Sequence, residues 1–582
     1  MMESKNVHPS SVLNATEPSS YVQENEKSDA YDAAHAMDEP PPRLGVRTFL
    51  AIFAVCSIYF SQLVTLVGVG AQGQTIAGHF NSSANVVWLS SPITILTVVL
   101  SPIVSQAADY WGRKWFLVIL TVFGGVGSII IARADSMAMA IAGSCITGVC
   151  FGVQPLLHAV TSEVLPRRWR AWAQATDMIS NGLGSITGLL VGGALNRSND
   201  IHSEGFRTYF LMAMGCYFMA ALLTWLLYNP PPTAAQKTYS GRTRDKLRML
   251  DWIGFALLAT GLVLFCIALS WSQNPYPWGQ PRVSATFAVG VSLCIGLVIY
   301  EVFFKKDGMF HHGLFSRDRN FAIATFCVFI EGVAFFAANN YFAFQVSVLY
   351  EQDSLIVGVR YSIMLTCSMI GASVAGVYCA ITRKARWLTV LGFLTFVAFF
   401  ASMATTGRNS DKLVWAAPVL LGLALGITLA TLVTVAQLCT PPELIAAASG
   451  LVISMRSLGG SIGLAIYNAL FNHTLKSYAD NVATAAQSAG LDKDSLMAFV
   501  EGISTHNQTA LEAIPGINSS IIEVGVNAGL DTYAKGFRSV WIAAACFVSV
   551  AAVGAGFLYD PEAEFNSHVD ANIEKRSNED SN

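Results

Sequence analysis

Stretches of about 20 apolar residues, each long enough to cross roughly 30 Å of hydrocarbon, recur along nearly the whole chain. Inside a bilayer the backbone finds no water, so each stretch must satisfy its own hydrogen bonds as a helix. About fourteen spans are expected on this criterion. The first seven run approximately from Thr48 to Gln72, Val86 to Gln106, Trp115 to Ala132, Met137 to Val160, Ala173 to Leu195, Phe206 to Tyr228 and Trp252 to Trp271. The rest run from Val283 to Phe304, Phe321 to Tyr350, Ile356 to Ile381, Trp387 to Thr406, Leu413 to Gln437, Ile445 to Phe471 and Phe537 to Tyr559. Only 13% of the 582 residues are charged, against about 25% in soluble domains, so much of the surface must meet lipid. The fold class is therefore an all-α polytopic membrane protein. A net charge of -3 gives no reason to expect a nucleic-acid partner.

The polar residues divide the chain. Residues 1–46 are rich in Ser, Asn, Glu and Asp, end near Pro40, Pro41 and Pro42, and read as disordered. They lack the pattern of a cleaved secretory signal, so the first span must itself direct insertion. A six-helix bundle is expected over 47–228, a basic linker over 229–250, two extra central helices over 251–304, and a second six-helix bundle over 320–559. Within the second bundle a polar outside segment over 473–536 has room for short helices, and a tail follows over 560–582.

With a cytoplasmic N-terminus, the inside loops carry Arg113, Lys114, Arg167, Arg168, Arg170, Lys237, Arg242, Arg244, Lys246, Arg248, Lys305, Lys306, Arg317, Arg319, Arg383, Lys384 and Arg386. The short outside loops hold Arg133, Arg197, Arg282 and Arg408. This asymmetry predicts that both termini are cytoplasmic. The glycosylation triplets at Asn81, Asn196, Asn472, Asn507 and Asn518 fall on the outside segments or their edges, and only Asn14 falls inside.

The eleven cysteines lie in or beside apolar stretches and form no C-x-x-C pair, so they read as small hydrophobes, with neither a disulfide framework nor a metal site. No clustered His, Asp or Cys suggests an enzyme, and no G-x-x-x-x-G-K-[ST] loop suggests an ATP-driven pump. No cofactor is implied.

Between the second and third spans, Asp109, Gly112, Arg113 and Lys114 form a tight charged turn. It resembles the major facilitator signature G-x-x-x-D-x-x-G-R-[KR]. The glycine lets the chain reverse, and the charges form pairs that break as two halves rock. Ser105 replaces the leading glycine, which predicts a looser helix approach there. In the fifth span, Gly184, Gly188, Gly192 and Gly193 line one helix face and permit close packing. They resemble the antiporter signature G-x-x-x-G-P-x-x-G-G, with Leu189 in place of the proline. Ser144 stands where many proton-coupled drug exporters carry an arginine, but Gln154 and His158 keep the fourth span polar and Pro155 bends it. Gly376 to Trp387 weakly echoes the cations at the start of the third span, as repeated transporter halves would.

Charge in mid-span is costly and points to function or pairing. Glu331 lies within the ninth span, followed by Asn339, Asn340 and Gln345 among aromatic residues. Burial disfavours the charged form of a carboxyl, which makes Glu331 the first candidate to exchange a proton, with Arg456 its candidate partner or an anion ligand. Asp177, one turn before Asn181, reads as a gate-pairing group, His158 as a packing residue or proton carrier, and Arg360 as lying near the outer end. Tyr59, Phe60, Phe335, Phe336, Tyr341 and Phe344 are candidates to line an apolar cavity.

From about Arg47 to Asp560 the chain resembles the fourteen-span fungal major facilitators, in particular the trichothecene efflux pump family. The residues that carry the resemblance are Val153 to His158, Ser162 to Arg168, Gly188 to Gly193 and the large outside loop before the last span. It implies a monomeric, proton-coupled plasma-membrane exporter of a secondary metabolite or toxin, working by alternating access, with a small molecule, the proton and the bilayer as partners. Fungal siderophore transporters share this plan, so a siderophore-iron importer is the alternative, and a non-transporting receptor a further one.

Overall fold

The apolar stretches fold as helices with few charged interruptions, and among the described residues fourteen of them are long and apolar enough to cross a bilayer. The computed structural model describes residues 44–573 apart from 83–84, 196–203, 233–245, 248–249, 274–277, 305–312, 317, 352, 505–508, 510, 512–513 and 572. Among the described residues all regular structure is helical. Nearly all of the N-terminal 1–46 segment, most of the 229–250 linker, and the triplets at Asn196 and Asn507 lie outside the described residues.

The first seven helices are α1 (Val46–His79), α2 (Val87–Trp111), α3 (Arg113–Ala132), α4 (Met137–Cys150), α5 (Gln154–Glu163), α6 (Arg170–Leu195) and α7 (Gly205–Leu227). α4 and α5 make one span, interrupted by a single 3-10 turn over Phe151–Val153 just before Pro155. Pro155 lacks the N–H an unbroken helix would need, so the break falls there and α5 restarts at Gln154. The α2–α3 reversal rests on Gly112, at φ 89° and ψ 153°, backbone that essentially only glycine adopts. In this bundle α1 packs on α6 and α7, and α3 on α4 and α7.

The second bundle contains α10 (Arg319–Leu349), α11 (Ser354–Thr382), α12 (Arg386–Ala404), α13 (Asp411–Leu438), α14 (Ile445–Leu475) and α17 (Ser519–Ala555). Between the bundles in sequence, α8 (Trp252–Gln273) and α9 (Pro281–Ile299) form a hairpin. Its Phe255, Leu258 and Leu262 bury against Val98 and Val99 of α2. Two seams join the bundles, α6 along α11 and α2 along α14. Ser105 packs tightly against α14 rather than loosely, because Gly450 on that helix supplies the missing space; a methyl there would meet Ser105 Oγ at 2.6 Å.

The 473–536 segment holds the short helices its sequence has room for. α15 (Tyr478–Ser488) and α16 (Leu496–Ser504) wrap a small core of Val482, Phe499, Ile503 and Ile521. The last of these belongs to α17, which therefore begins at Ser519 instead of near Phe537, its polar first turns held by packing rather than by lipid. Asn81, Asn472 and Asn518 are exposed, the last serving as N-cap to α17. The opposite end of the molecule carries Arg113, Lys114, Arg167, Arg168, Arg383 and Lys384 together with the residues after α17. We call it the basic face.

Candidate functional site

The centre of the molecule is built where α10 and α14 cross. A Cβ on Gly332 would run into the carbonyl of Arg456, and one on Gly459 into that of Phe329, so only glycine lets these backbones touch. This contact brings neighbouring side chains face to face. Arg456 Nε donates to Glu331 Oε2 at 2.6 Å and Nη2 to Oε1 at 3.0 Å, a two-pronged charge-assisted pair. Glu331 is fully buried, whereas the Arg456 side chain keeps 14% exposure and lies over the Phe335 ring at 4.7 Å.

The first bundle faces this pair with uncharged polar groups. Gln154 Nε2 donates to the Tyr59 hydroxyl at 3.3 Å, Asn181 also bonds that hydroxyl, and Arg456 lies close enough to act on it electrostatically. Gln154 and Asn181 are partly exposed. Three helices of one bundle and two of the other thus contribute to one polar locus.

Toward the basic face lies a second, sealed cluster. His158 Nδ1 stands 2.7 Å from Gln174 Oε1 and 3.3 Å from Asp177 Oδ2, and Thr161 Oγ1 donates to the same Asp177 oxygen at 2.8 Å. The imidazole meets the edge of Tyr59, with ring centroids 5.4 Å apart. Asp177 takes its partners from its own bundle and does not face a charge across the seam. Cross-bundle contact is made instead by amides: Gln437 Nε2 donates to the His158 carbonyl at 3.1 Å, Gln174 Nε2 meets Gln437 Oε1 at 3.4 Å, and Arg170 Nη1 donates to the Gln437 carbonyl at 2.8 Å. The two bundles are closed on each other here.

The turn motif lies below this cluster. Arg113 pairs with Glu163 and, at 3.4 Å, with Asp109, all within the first bundle, and Lys114 bonds Asn229. Gly184 and Gly188 lie against α1 at Phe60 and Val64, the Gly192 carbonyl accepts from Gln72, and Gly193 faces Leu355 of α11. Asn339 and Asn340 are exposed about 12 Å along α10 from Glu331, at 1.5 Å per residue, and Asn339 accepts from the Tyr361 hydroxyl at 2.5 Å. Tyr341 and Phe344 belong to an aromatic cluster with Phe471, Tyr533 and Phe537 near the 473–536 segment, away from the Tyr59 locus. Arg360 pairs with Asp411 and stacks on Trp415.

Gln174 and Gln437, which carry the cross-bundle contact, are absent from the sequence expectations. Neutral amides at span ends resemble ordinary interfacial residues, and only their burial among helix carbonyls distinguishes them.

Residues 48–464 match the sequence profile of the Major Facilitator Superfamily. The chain is 22% identical to the trichothecene efflux pump of Fusarium sporotrichioides, over 81% of this chain and 79% of the relative. It is 25% identical to the dehydrocurvularin exporter of Alternaria cinerariae, over 77% of each. Among solved structures, a bacterial homologue of the human lysosomal transporter Spinster superposes with a TM-score of 0.52, at 15% identity, covering 88% of this chain and 97% of that one. The proton:xylose symporter XylE superposes with a TM-score of 0.52, at 12% identity, covering 86% and 95%.

Proposed function

The chain belongs to the major facilitator superfamily, and from that premise we propose that it exports a fungal secondary metabolite or toxin across the plasma membrane in exchange for protons, by alternating access. The basic face is cytoplasmic in this reading, which the loop charges support. The export direction and cargo class are taken from the names of relatives such as the trichothecene pump and the dehydrocurvularin exporter.

The observation that carries the coupling is the Glu331–Arg456 pair, buried at a helix crossing and facing Tyr59, Gln154 and Asn181 from the other bundle. In an exchanger, proton and cargo must exclude one another. A cargo donating to the ionised pair does this, since a proton placed on a Glu331 oxygen removes an acceptor and releases Arg456. His158 and Asp177 supply a second proton-holding site, tied to the basic-face contact through Gln174 and the His158 carbonyl. Opening toward the cytoplasm breaks the Gln437 and Arg170 contacts and admits cargo. Closing them, as here, directs the site outward.

The exposed part of Arg456 supports a second reading. An anionic cargo that takes Arg456 for itself leaves Glu331 to be neutralised by a proton. Cargo and proton then travel together, as in a siderophore importer. Expression in pump-deficient yeast, with retention of labelled trichothecene and uptake of labelled ferric siderophore measured with and without a protonophore, separates the two. Lower toxin retention that the protonophore abolishes supports export. Protonophore-sensitive iron uptake replaces it with import, and no flux of any cargo leaves a receptor.

A further inference from the structure

The residues after α17 recross the basic face and fasten the two bundles together. Their root is held by the second bundle: Asp560 Oδ1 accepts the backbone N–H groups of Ala385 at 2.6 Å and Arg386 at 2.8 Å, and Asn320 bonds both the N–H and the carbonyl of Tyr559. Phe565 is buried in the second bundle's core. The chain then passes to the first bundle. Arg168 N–H donates to the Asn566 carbonyl at 2.9 Å, Arg167 N–H to the His568 carbonyl at 3.0 Å, and Ala571 N–H to the Glu163 carbonyl at 2.9 Å. Ile573 enters the first bundle's core beside Val160, Val164 and Ala173.

Charge reinforces this seat. Asp570, 5% exposed, accepts from Arg167 at 2.9 Å and from Arg170 at 2.5 Å, and Glu564 accepts from Arg167 at 3.0 Å. Burial alone would push the Asp570 carboxyl up, but the guanidiniums of Arg170 and Arg167 outweigh it and hold it below the usual carboxylate range. Arg170 is the hub, because its other terminal nitrogen donates to the Gln437 carbonyl of the second bundle. The bundles cannot part at this face while the segment keeps both attachments.

We propose that residues 561–571, with Ile573, form an autoinhibitory strap: an acidic segment rooted on the second bundle and seated on Arg167 and Arg170 of the first, which holds the basic face closed until it is released. Its role in transport rests on the alternating-access reading above; its hold on the basic face does not. The strap makes release of the C-terminal segment a step that limits how often the site opens toward the basic face. It also leaves, once displaced, a basic seat on the first bundle for an acidic peptide.

The test uses the full chain in lipid nanodiscs, with Asp570→Lys and a chain ending at Asp560, each followed by hydrogen–deuterium exchange, and by flux of whichever cargo the yeast assay identifies. Release predicts at least tenfold faster exchange at the Arg167 and Arg168 amides and across 434–450, which contains Gln437 and its partner Ser449, with a severalfold higher initial flux. Adding a synthetic peptide of residues 561–573 to the shortened chain restores the slow exchange, which guards against mere misfolding. If the Arg167 and Arg168 amides are freed while 434–450 exchanges as before, the segment is packing and not a strap. The proposal falls equally if the peptide restores nothing. The exchange readout needs no cargo, so a failure to find flux would overturn the transport reading and leave the strap to be decided by itself.

Discussion

Replacing Glu331 by Gln keeps the shape of the side chain and removes its charge, leaving Arg456 without its salt-bridge partner among the described residues, in a locus where the carboxylate is fully buried. Breaking one side of a buried ion pair costs about 3–5 kcal/mol. The lower end applies here, because Arg456 keeps 14% exposure and the Phe335 ring beneath it, an aromatic contact worth about 0.5–2 kcal/mol. Arg456→Gln alone strands Glu331, which has no exposure to fall back on, and should cost about 4–5 kcal/mol. The double variant places two amides face to face, able to bond one another, and should recover most of the loss. With a residual cost of about 1–2 kcal/mol in the double variant, against single costs that sum to about 7–8, the coupling energy of the cycle is about 5–7 kcal/mol. Chemical unfolding of the four proteins in one detergent, read by tryptophan fluorescence, measures it. Single costs below about 0.5 kcal/mol that simply add would show that the pair is not an energetic unit, and the argument that it gates a proton would fall with it. In the same set, Glu331→Gln should carry cargo without the pH dependence of the parent, measured as flux from pH 5.5 to 8.

Gly332→Ala should cost about 1–3 kcal/mol by forcing α10 from the Arg456 carbonyl, whereas Gly70→Ala, inside α1 and with its added carbon in open space, should stabilise by about 0.4–1 kcal/mol; equal effects in thermal unfolding would refute the crossing argument. Gly112→Ala forces an alanine into backbone that favours glycine, at a cost of about 1–3 kcal/mol, and should loosen Arg113 from Glu163, read as faster exchange at the start of α3. Strap docking should be constant between pH 5 and 8. Asp570 is held below its ordinary value of about 3.9, so its stabilisation is complete above that value and is lost only as pH falls through the lower docked one. Among the described residues, the charged groups paired with it or with its arginines are Arg167, Arg170, Glu564 and the half-exposed His568, 3.9 Å away. Protection of the Arg167 amide that fades within that pH range would mean that a group other than Asp570 governs docking.

The spans were legible because lipid imposes one rule on every residue of a stretch, and runs such as Trp252 to Trp271 obey it from end to end. The same rule fails at α17, where Ser519 to Lys535 is too polar to read as a span yet remains helical through contact of Ile521 and Gly525 with Phe499. At the centre, Glu331 and Arg456 announced themselves by the cost of charge in hydrocarbon. Tyr59 and Gln154 were legible only as a cavity-lining aromatic and a polar span residue, and Gln174 and Gln437 read as interfacial amides, until long-range packing places Gln154 on Tyr59 and the others against His158. The seat of Asp570 on Arg167 and Arg170 joins residues some 400 positions apart, 403 and 400 along the chain, beyond the reach of any local pattern.

The most direct test of the account is cargo movement under an imposed pH gradient, with the purified protein in liposomes and the membrane voltage clamped by potassium and valinomycin. Exchange predicts that cargo moves against the proton gradient, accumulating on the acidic side, and that Glu331→Gln leaves only flow down the cargo's own gradient. Accumulation on the alkaline side would mean that proton and cargo travel together, and would contradict export by exchange at the Glu331–Arg456 pair.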